Sequence, residues 1–314
     1  ERRGHMKSIN GRKANKSKRN AAIVFLSPAI IFLLIFSVVP MLYSFGISFF
    51  SYNTSMAADT VKFNGIQNYI NVLSNKQFLE SAGWTFTFTI CAVFLNVVIG
   101  MILALILTTK YWNKVSKVFR TIFTMPMMIA PIVTATIWKL IFSPVYGVLN
   151  GILYSLGFDR VNWMSHTITA RIALVVVEVW ATTPLCMLIF IAALKTVPDE
   201  IIEAATIDGG NWFQRFRHII LPLIRDFLTL VITMRFMDAI RMFDIVYNLT
   251  NGGPGTSTET LASTVYKTAF RYYEVGEGSA GAMIFFVLII LFSLFFMKIF
   301  SEKEEKTVKR RKKA

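Results

Sequence analysis

The chain is short of the residues that build most chemistry. Only two cysteines occur in 314 residues. Cys91 and Cys186 both sit inside apolar runs, so neither a disulfide framework nor a thiolate metal site is expected. The three histidines are scattered, and no catalytic or metal-ligand cluster gathers around them. No G-x4-G-K-[ST] stretch is present to cradle phosphates, so the chain itself is expected to hold no ATP, metal or other cofactor. Charged residues are sparse too: 16% of the chain against 54% hydrophobic and 14% aromatic. With a mean hydropathy of +0.55, that excludes an ordinary soluble domain and leaves a membrane protein. The net charge of +15 is no nucleic-acid signature, because the basic residues lie in tails and short loops and form no continuous face.

What is present is a series of apolar runs long enough to cross a bilayer, which needs ~20 residues per helix. The expected fold is an all-α membrane protein of six transmembrane helices, occupying residues 21–300. The spans are read at 21–50 (with Pro28 and Pro40 allowing a kink), 84–107, 121–142 (with Pro126 and Pro131), 168–194, 223–249 and 279–300. Residues 51–83 and 251–276 read as external loops, and Tyr146–Gly157 as a short amphipathic helix lying at the outer interface. Basic tails are expected at 1–20 and 301–314, with Met6 the expected native start and residues 1–5 foreign to it. Of the 33 Lys and Arg, 24 fall in segments assigned to the inside and six in those assigned to the outside. That asymmetry places both termini in the cytoplasm.

Between the fourth and fifth spans lies a polar stretch, TVPDEIIEAATIDGGNWFQRFRHIILP, residues 196–222. Thr196 suits a helix cap, Pro198 a first helical position, and Asp199 and Glu200 a first turn. Gly209 and Gly210 stop that helix. Asn211 with Gln214 reads as the capping pair of a second one, and the stretch is therefore a cytoplasmic helical hairpin.

Within it, Glu203, Ala204 and Ala205, then Gly209 after three residues, then Ile219, Leu221 and Pro222 after nine more, follow the pattern EAA, x3, G, x9, I-x-L-P. The pattern resembles the cytoplasmic signature of permease subunits in binding-protein-dependent ABC importers. FDIVYNLTNGGPG from Phe243, TETL from Thr258, YKTAF from Tyr266 and GVLNGILYSLG from Gly147 resemble the carbohydrate branch, the maltose, glycerol-phosphate and oligosaccharide permeases. The resemblance implies a non-enzymatic half-transporter in the cytoplasmic (inner) membrane of a bacterium or archaeon. It would pair with a second similar permease, two cytosolic ATPase subunits that hold ATP and Mg, and an extracytoplasmic solute-binding protein. The hairpin residues just named would dock into the ATPase, and Asn251, Gly252, Gly253 and Pro254 would form a rim meeting the binding protein.

Charges within hydrocarbon are costly and tend to face a cavity or a partner. The fifth span carries Arg235, Asp238, Arg241 and Asp244, alternating in sign at steps of three, where neighbours on a helix can pair. Two readings stay open for them: a polar wall of the carbohydrate path, or an ion-pair ladder between helices. Glu178 and Trp180 in the fourth span add a carboxylate and an aromatic face suited to sugar, although Trp180 also suits plain packing. Tyr247 and Asn248 are candidates for the mouth of the path. Asn96 is a candidate for the path or for helix-to-helix glue. A peptide, polyamine or phosphate importer would share the hairpin. An ion-coupled secondary transporter would need broken helices around an ion site and two related halves, and neither is legible.

Overall fold

Long apolar runs set where helices form, and proline sets where they widen or break. The computed structural model describes residues 23–56, 61–109 and 116–311. The expected tail 1–20 with its start at Met6 lies outside the described residues, as do Lys110 and Lys114 of the basic loop.

Helix α1, Ile23–Ile47, is apolar throughout, and none of its hydrophobic window is buried in the chain's own core. Its turn at Leu34–Val38 is π-helical and lies just before Pro40. Proline lacks an N–H, and its ring crowds the carbonyl four residues back, here Phe36, so the helix widens ahead of it. The same arrangement recurs at Phe216–Ile220, ahead of Pro222.

The stretch expected as a loop at 51–83 is largely structured. Strands β1 (Phe50–Ser51) and β2 (Lys62–Phe63) pair antiparallel. Helix α2, Gln67–Ser74, ties back to them through Asn68, whose Nδ2 donates to the carbonyls of Ser48 and Phe50, each at 2.8 Å. Helix α3, Lys76–Thr108, begins two turns before the apolar run because Asn75 caps it, its Oδ1 accepting from the Gln77 N–H at 2.9 Å.

The third expected span is not one helix. Helix α4, Ser116–Met128, and helix α5, Pro131–Ile141, meet at 101°. Ala130, with ψ 140°, takes the extended conformation that a following proline imposes. Helix α6, Val148–Ser155, is the short segment expected there. Helix α7, Thr167–Leu194, matches the fourth span to within a residue.

Helices α8 (Asp199–Ile207) and α9 (212–223) form the hairpin. The fifth expected span, 223–249, is broken into α10 (Arg225–Ala239) and α11 (Asp244–Leu249). The expected loop 251–276 contains α12 (261–271), a normal turn run Leu261–Tyr266 continued by a π turn Lys267–Arg271. Helix α13, Val275–Arg311, starts before the expected sixth span and continues through most of the expected tail 301–314. Among the described residues, four helices are long and apolar enough to span a membrane alone, and the bent pair α4–α5 makes a fifth candidate. The expected fifth span corresponds to α10 with α11, and α10, at 15 residues, is too short to cross by itself.

Helix α7 is the axis of the packing. At Gly100 of α3 an added Cβ would stand 2.8 Å from the Cβ of Cys186, so these two helices touch at backbone distance. Asn96 sits in the same contact, its Oδ1 accepting from Thr183 at 2.8 Å and Thr182 at 3.2 Å. This is the glue role foreseen for it, and in a bilayer such contacts and close packing hold helices together. Helix α12 folds back against α3, where Ser81 and Thr264 share a 2.7 Å hydrogen bond and Thr85 Oγ1 accepts from the Leu261 N–H.

Candidate functional site

The two helix breaks and α7 together line a cavity of about 540 Å³. The α4–α5 break contributes Pro126, Ile129, Pro131 and Thr134; α7 contributes Glu178 and Thr182; the α10–α11 break contributes Arg235, Asp238 and Arg241 through Asp244. Irregular backbone at membrane depth is tolerated where it lines a cavity or is buried in protein. At the second break this is met by Thr260, whose hydroxyl donates to the Met242 carbonyl at 2.9 Å in a buried setting. Broken helices are thus present although the sequence disclosed none. Among the described residues no group of His, Cys, Asp and Glu is placed to hold a metal ion.

The charges of the cavity are coupled. Arg235, 3% exposed, donates through one terminal nitrogen to Glu178 Oε1 and through the other to Asp238 Oδ2 at 3.4 Å. Asp238 also receives Arg241 at 3.4 Å. Glu178 is buried, whereas the side chains of Asp238 and Arg241 are half-exposed. Among the described residues Arg235 Nε, which is buried, has no hydrogen-bond partner. The ladder stops there: Asp244 stands beyond the break at the start of α11, exposed, and among the described residues forms no ion pair. The ion pairs of the ladder reading are present from Glu178 to Arg241, and the same residues line the cavity.

The other candidates for the path lie outside that lining. Trp180 packs edge-on against Trp138, with centroids 5.6 Å apart, and is 37% exposed. Tyr247 stacks on Phe243 at 5.2 Å and meets Tyr266 edge-on at 5.3 Å. Asn248 is spent on its own helix, donating to the Asp244 carbonyl at 2.7 Å. Phe243, Thr134 and Thr182 are lining residues that sequence reasoning did not single out. Thr182 carried a signal, one helical turn beyond Glu178.

The loop 251–254 is more than a turn. Asn251 and Gly252 have φ of 50° and 85°, and a Cβ on Gly252 would run into the Glu259 and Lys267 side chains. Those two form a buried ion pair at 2.6 Å, and Lys267 Nζ also donates to the Asn251 carbonyl at 2.7 Å. Glu259 Oε2 accepts from Gln77 Nε2 at 2.6 Å. The pair fastens the loop to α12 and α3, and sequence reasoning had left Lys267 as a loop charge.

In the hairpin, Gly209 has φ 79°, the left-handed helix stop that glycine adopts without strain. The Asn211–Gln214 capping box forms in both directions, at 2.8 and 2.9 Å. Arg215 reaches back to the Thr206 hydroxyl and ties the two helices. Thr196 does not cap α8; its hydroxyl donates to the Ala193 carbonyl at 2.7 Å, closing α7, and Pro198 takes the capping position. Glu203, Ala204, Gly209 and Pro222 are exposed, Ala205, Ile219 and Leu221 half-buried. Ile207, Trp212 and Phe213 present more than half their surface to the outside; sequence reasoning did not mark them, and they make the hairpin tip apolar.

Residues 96–306 match the family described as binding-protein-dependent transport system inner membrane component. The trehalose/maltose transport system permease protein MalF of Thermococcus litoralis is 36% identical over 279 residues, 88% of this chain and 92% of that protein. The arabinooligosaccharides transport system permease protein AraP of Bacillus subtilis is 31% identical over 285 residues, 90% of this chain and 89% of that protein. In fold, the chain is similar to a subunit of a bacterial ABC transporter involved in the import of the acidic polysaccharide alginate, with a TM-score of 0.79, 21% identity, and coverage of 92% of this chain and 98% of that one.

Proposed function

The chain belongs to the binding-protein-dependent transport system inner membrane components, and from that membership we propose that it is the permease subunit of a carbohydrate ABC importer that moves its cargo inward by alternating access. The observation that carries the proposal is the cavity between two helix breaks, lined by Glu178, Arg235, Asp238, Arg241 and Asp244. Charged groups hydrogen-bond sugar hydroxyls strongly, and Phe243 adds an apolar face for a ring. Broken helices that surround a cavity are also the hinges by which access can switch sides. Saccharide permeases among the relatives, MalF and AraP, support carbohydrate over peptide, polyamine or phosphate, and family membership disfavours the ion-coupled alternative despite the broken helices.

On this reading the six spans are α1, α3, the pair α4–α5, α7, the pair α10–α11 and α13, with both termini and the hairpin on the cytoplasmic side. Arg120 supports that side for the α3–α4 turn, where a terminal nitrogen donates to the Leu107 carbonyl at 3.1 Å and sets a positive charge at the helix C-terminus. The hairpin takes the movement of separate ATPase subunits, which hold ATP and Mg, through Glu203, Ala204, Ala205, Gly209, Ile219, Leu221 and Pro222. Its exposed apolar tip calls for a covering partner. A second similar permease completes the path, and the clamped rim Asn251–Pro254 receives the solute-binding protein.

The test is to purify the chain with its ATPase and binding protein and measure ATP hydrolysis over a panel of solutes. Stimulation by a saccharide is expected; stimulation only by a peptide, polyamine or phosphate would replace the carbohydrate reading. Gly209→Trp in the same assay should leave the complex assembled and hydrolysing ATP while uptake is lost, and normal uptake would remove the hairpin from the coupling route.

A further inference from the structure

The charges of the cavity do not cancel. Glu178, Asp238 and Asp244 face Arg235 and Arg241, three carboxylates to two guanidinium groups. Both guanidiniums are engaged within the wall, Arg235 by Glu178 and Asp238, Arg241 by Asp238. The free charge is a carboxylate, that of Asp244, which is exposed in the cavity wall beside Phe243 and among the described residues accepts no side-chain hydrogen bond. Among the described residues two donors of the wall are buried and unpartnered, the Thr134 hydroxyl and Arg235 Nε, and the second belongs to a guanidinium already flanked by two carboxylates.

Resting on the carbohydrate reading, we propose that this cavity takes neutral and cationic (amino) saccharides and turns away uronates, with Asp244 as the residue that sets this order. A uronate entering the cavity would meet a like charge that no cation of this chain's wall neutralises, and like charges repel. An amino sugar would find in Asp244 the one carboxylate not already spoken for. The fold shared with an importer of an acidic polysaccharide therefore does not extend to the charge of the cargo.

The test uses the full chain in nanodiscs together with the subunits that copurify with it, and omits the binding protein so that its own selectivity is not read. Calorimetric titration compares length-matched tetrasaccharides of glucose, glucosamine and galacturonate. Glucosamine tetramer should bind about tenfold or more tighter than galacturonate tetramer, a difference of about 1.4 kcal/mol or more, with the glucose tetramer between. Asp244→Asn should abolish the advantage of the amino sugar over glucose, and Asp244→Glu should retain the order. If galacturonate binds as tightly as glucose, or if the order survives in Asp244→Asn, the assignment is overturned while carbohydrate binding stands. If none of the three binds at millimolar concentration, the carbohydrate reading falls and takes this inference with it.

Discussion

Among the described residues two ion pairs are buried, Glu178–Arg235 and Glu259–Lys267, and they are satisfied to different degrees. In the Glu259–Lys267 pair every strong group is used: Oε1 takes Lys267, Oε2 takes Gln77 and Thr264, and Lys267 Nζ also reaches the Asn251 carbonyl. In the Glu178–Arg235 pair Nε is left over, and the second carboxylate reached by Arg235 is half-exposed in a cavity wall. A fully satisfied buried network rigidifies what surrounds it, while a partly satisfied one carries unmet hydrogen-bonding capacity. The first pair therefore acts as a clamp for the 251–254 rim, while the second stands at the edge of the cavity and, on the proposed function, belongs to the wall of the path. Burial alone does not separate them, since the side chains of both are below 10% exposed.

The largest effect should come from breaking the clamp. Lys267→Met leaves Glu259 buried without its cation, a loss of about 3–5 kcal/mol for removal of one partner of a buried pair. The measurement is thermal unfolding and the monodisperse yield of the purified complex, and both should fall sharply. Adding Glu259→Met should recover much of the loss, because replacing both partners by apolar side chains is often close to neutral. A well-folded Lys267→Met that merely transports slowly would erase the distinction between the two pairs.

A smaller stability loss, with a larger functional one, is expected of Glu178→Gln. Arg235 keeps Asp238 at 3.4 Å, so its charge is not stranded, and a weakened buried hydrogen bond costs about 1–3 kcal/mol. Saccharide-stimulated ATP hydrolysis and uptake should drop by about tenfold or more per folded complex, the equivalent of about 1.4 kcal/mol. If stability instead collapses as in Lys267→Met while activity per folded complex is retained, Glu178 is a clamp as well.

How much of this was legible follows from where the causes lie. Helix α7 was read to within a residue because its apolar run is bounded by polar residues at both ends. The hairpin was legible through Gly209 and the Asn211–Gln214 box, which are local causes. The α10–α11 break was not, because Ile240, Arg241, Met242 and Phe243 contain no glycine or proline. Its stabilising bond to the Met242 carbonyl comes from Thr260, 18 residues on. At α4–α5 the prolines were visible, yet Pro184 remains inside α7, so a proline in a span does not by itself distinguish a tolerated kink from a 101° turn. Glu259 and Lys267 read as loop charges until α12 folds against α3 and buries them.

The smallest effect sharpens the comparison most. Arg241 pairs with Asp238 at 3.4 Å, but both side chains are about half exposed, 58% and 49%, and such pairs contribute about 0–1 kcal/mol. Arg241→Gln should therefore leave the unfolding temperature nearly unchanged. Asp238 would lose one of its two cations and the cavity wall would become more negative by one charge. Affinity for the glucose tetramer should change by about threefold or less, while discrimination against the galacturonate tetramer should rise, both read in the same calorimetric titrations. A fall in stability comparable to that of Glu178→Gln would mean that the whole charged series, from Glu178 to Arg241, is one structural ladder and that the cavity merely exposes its edge.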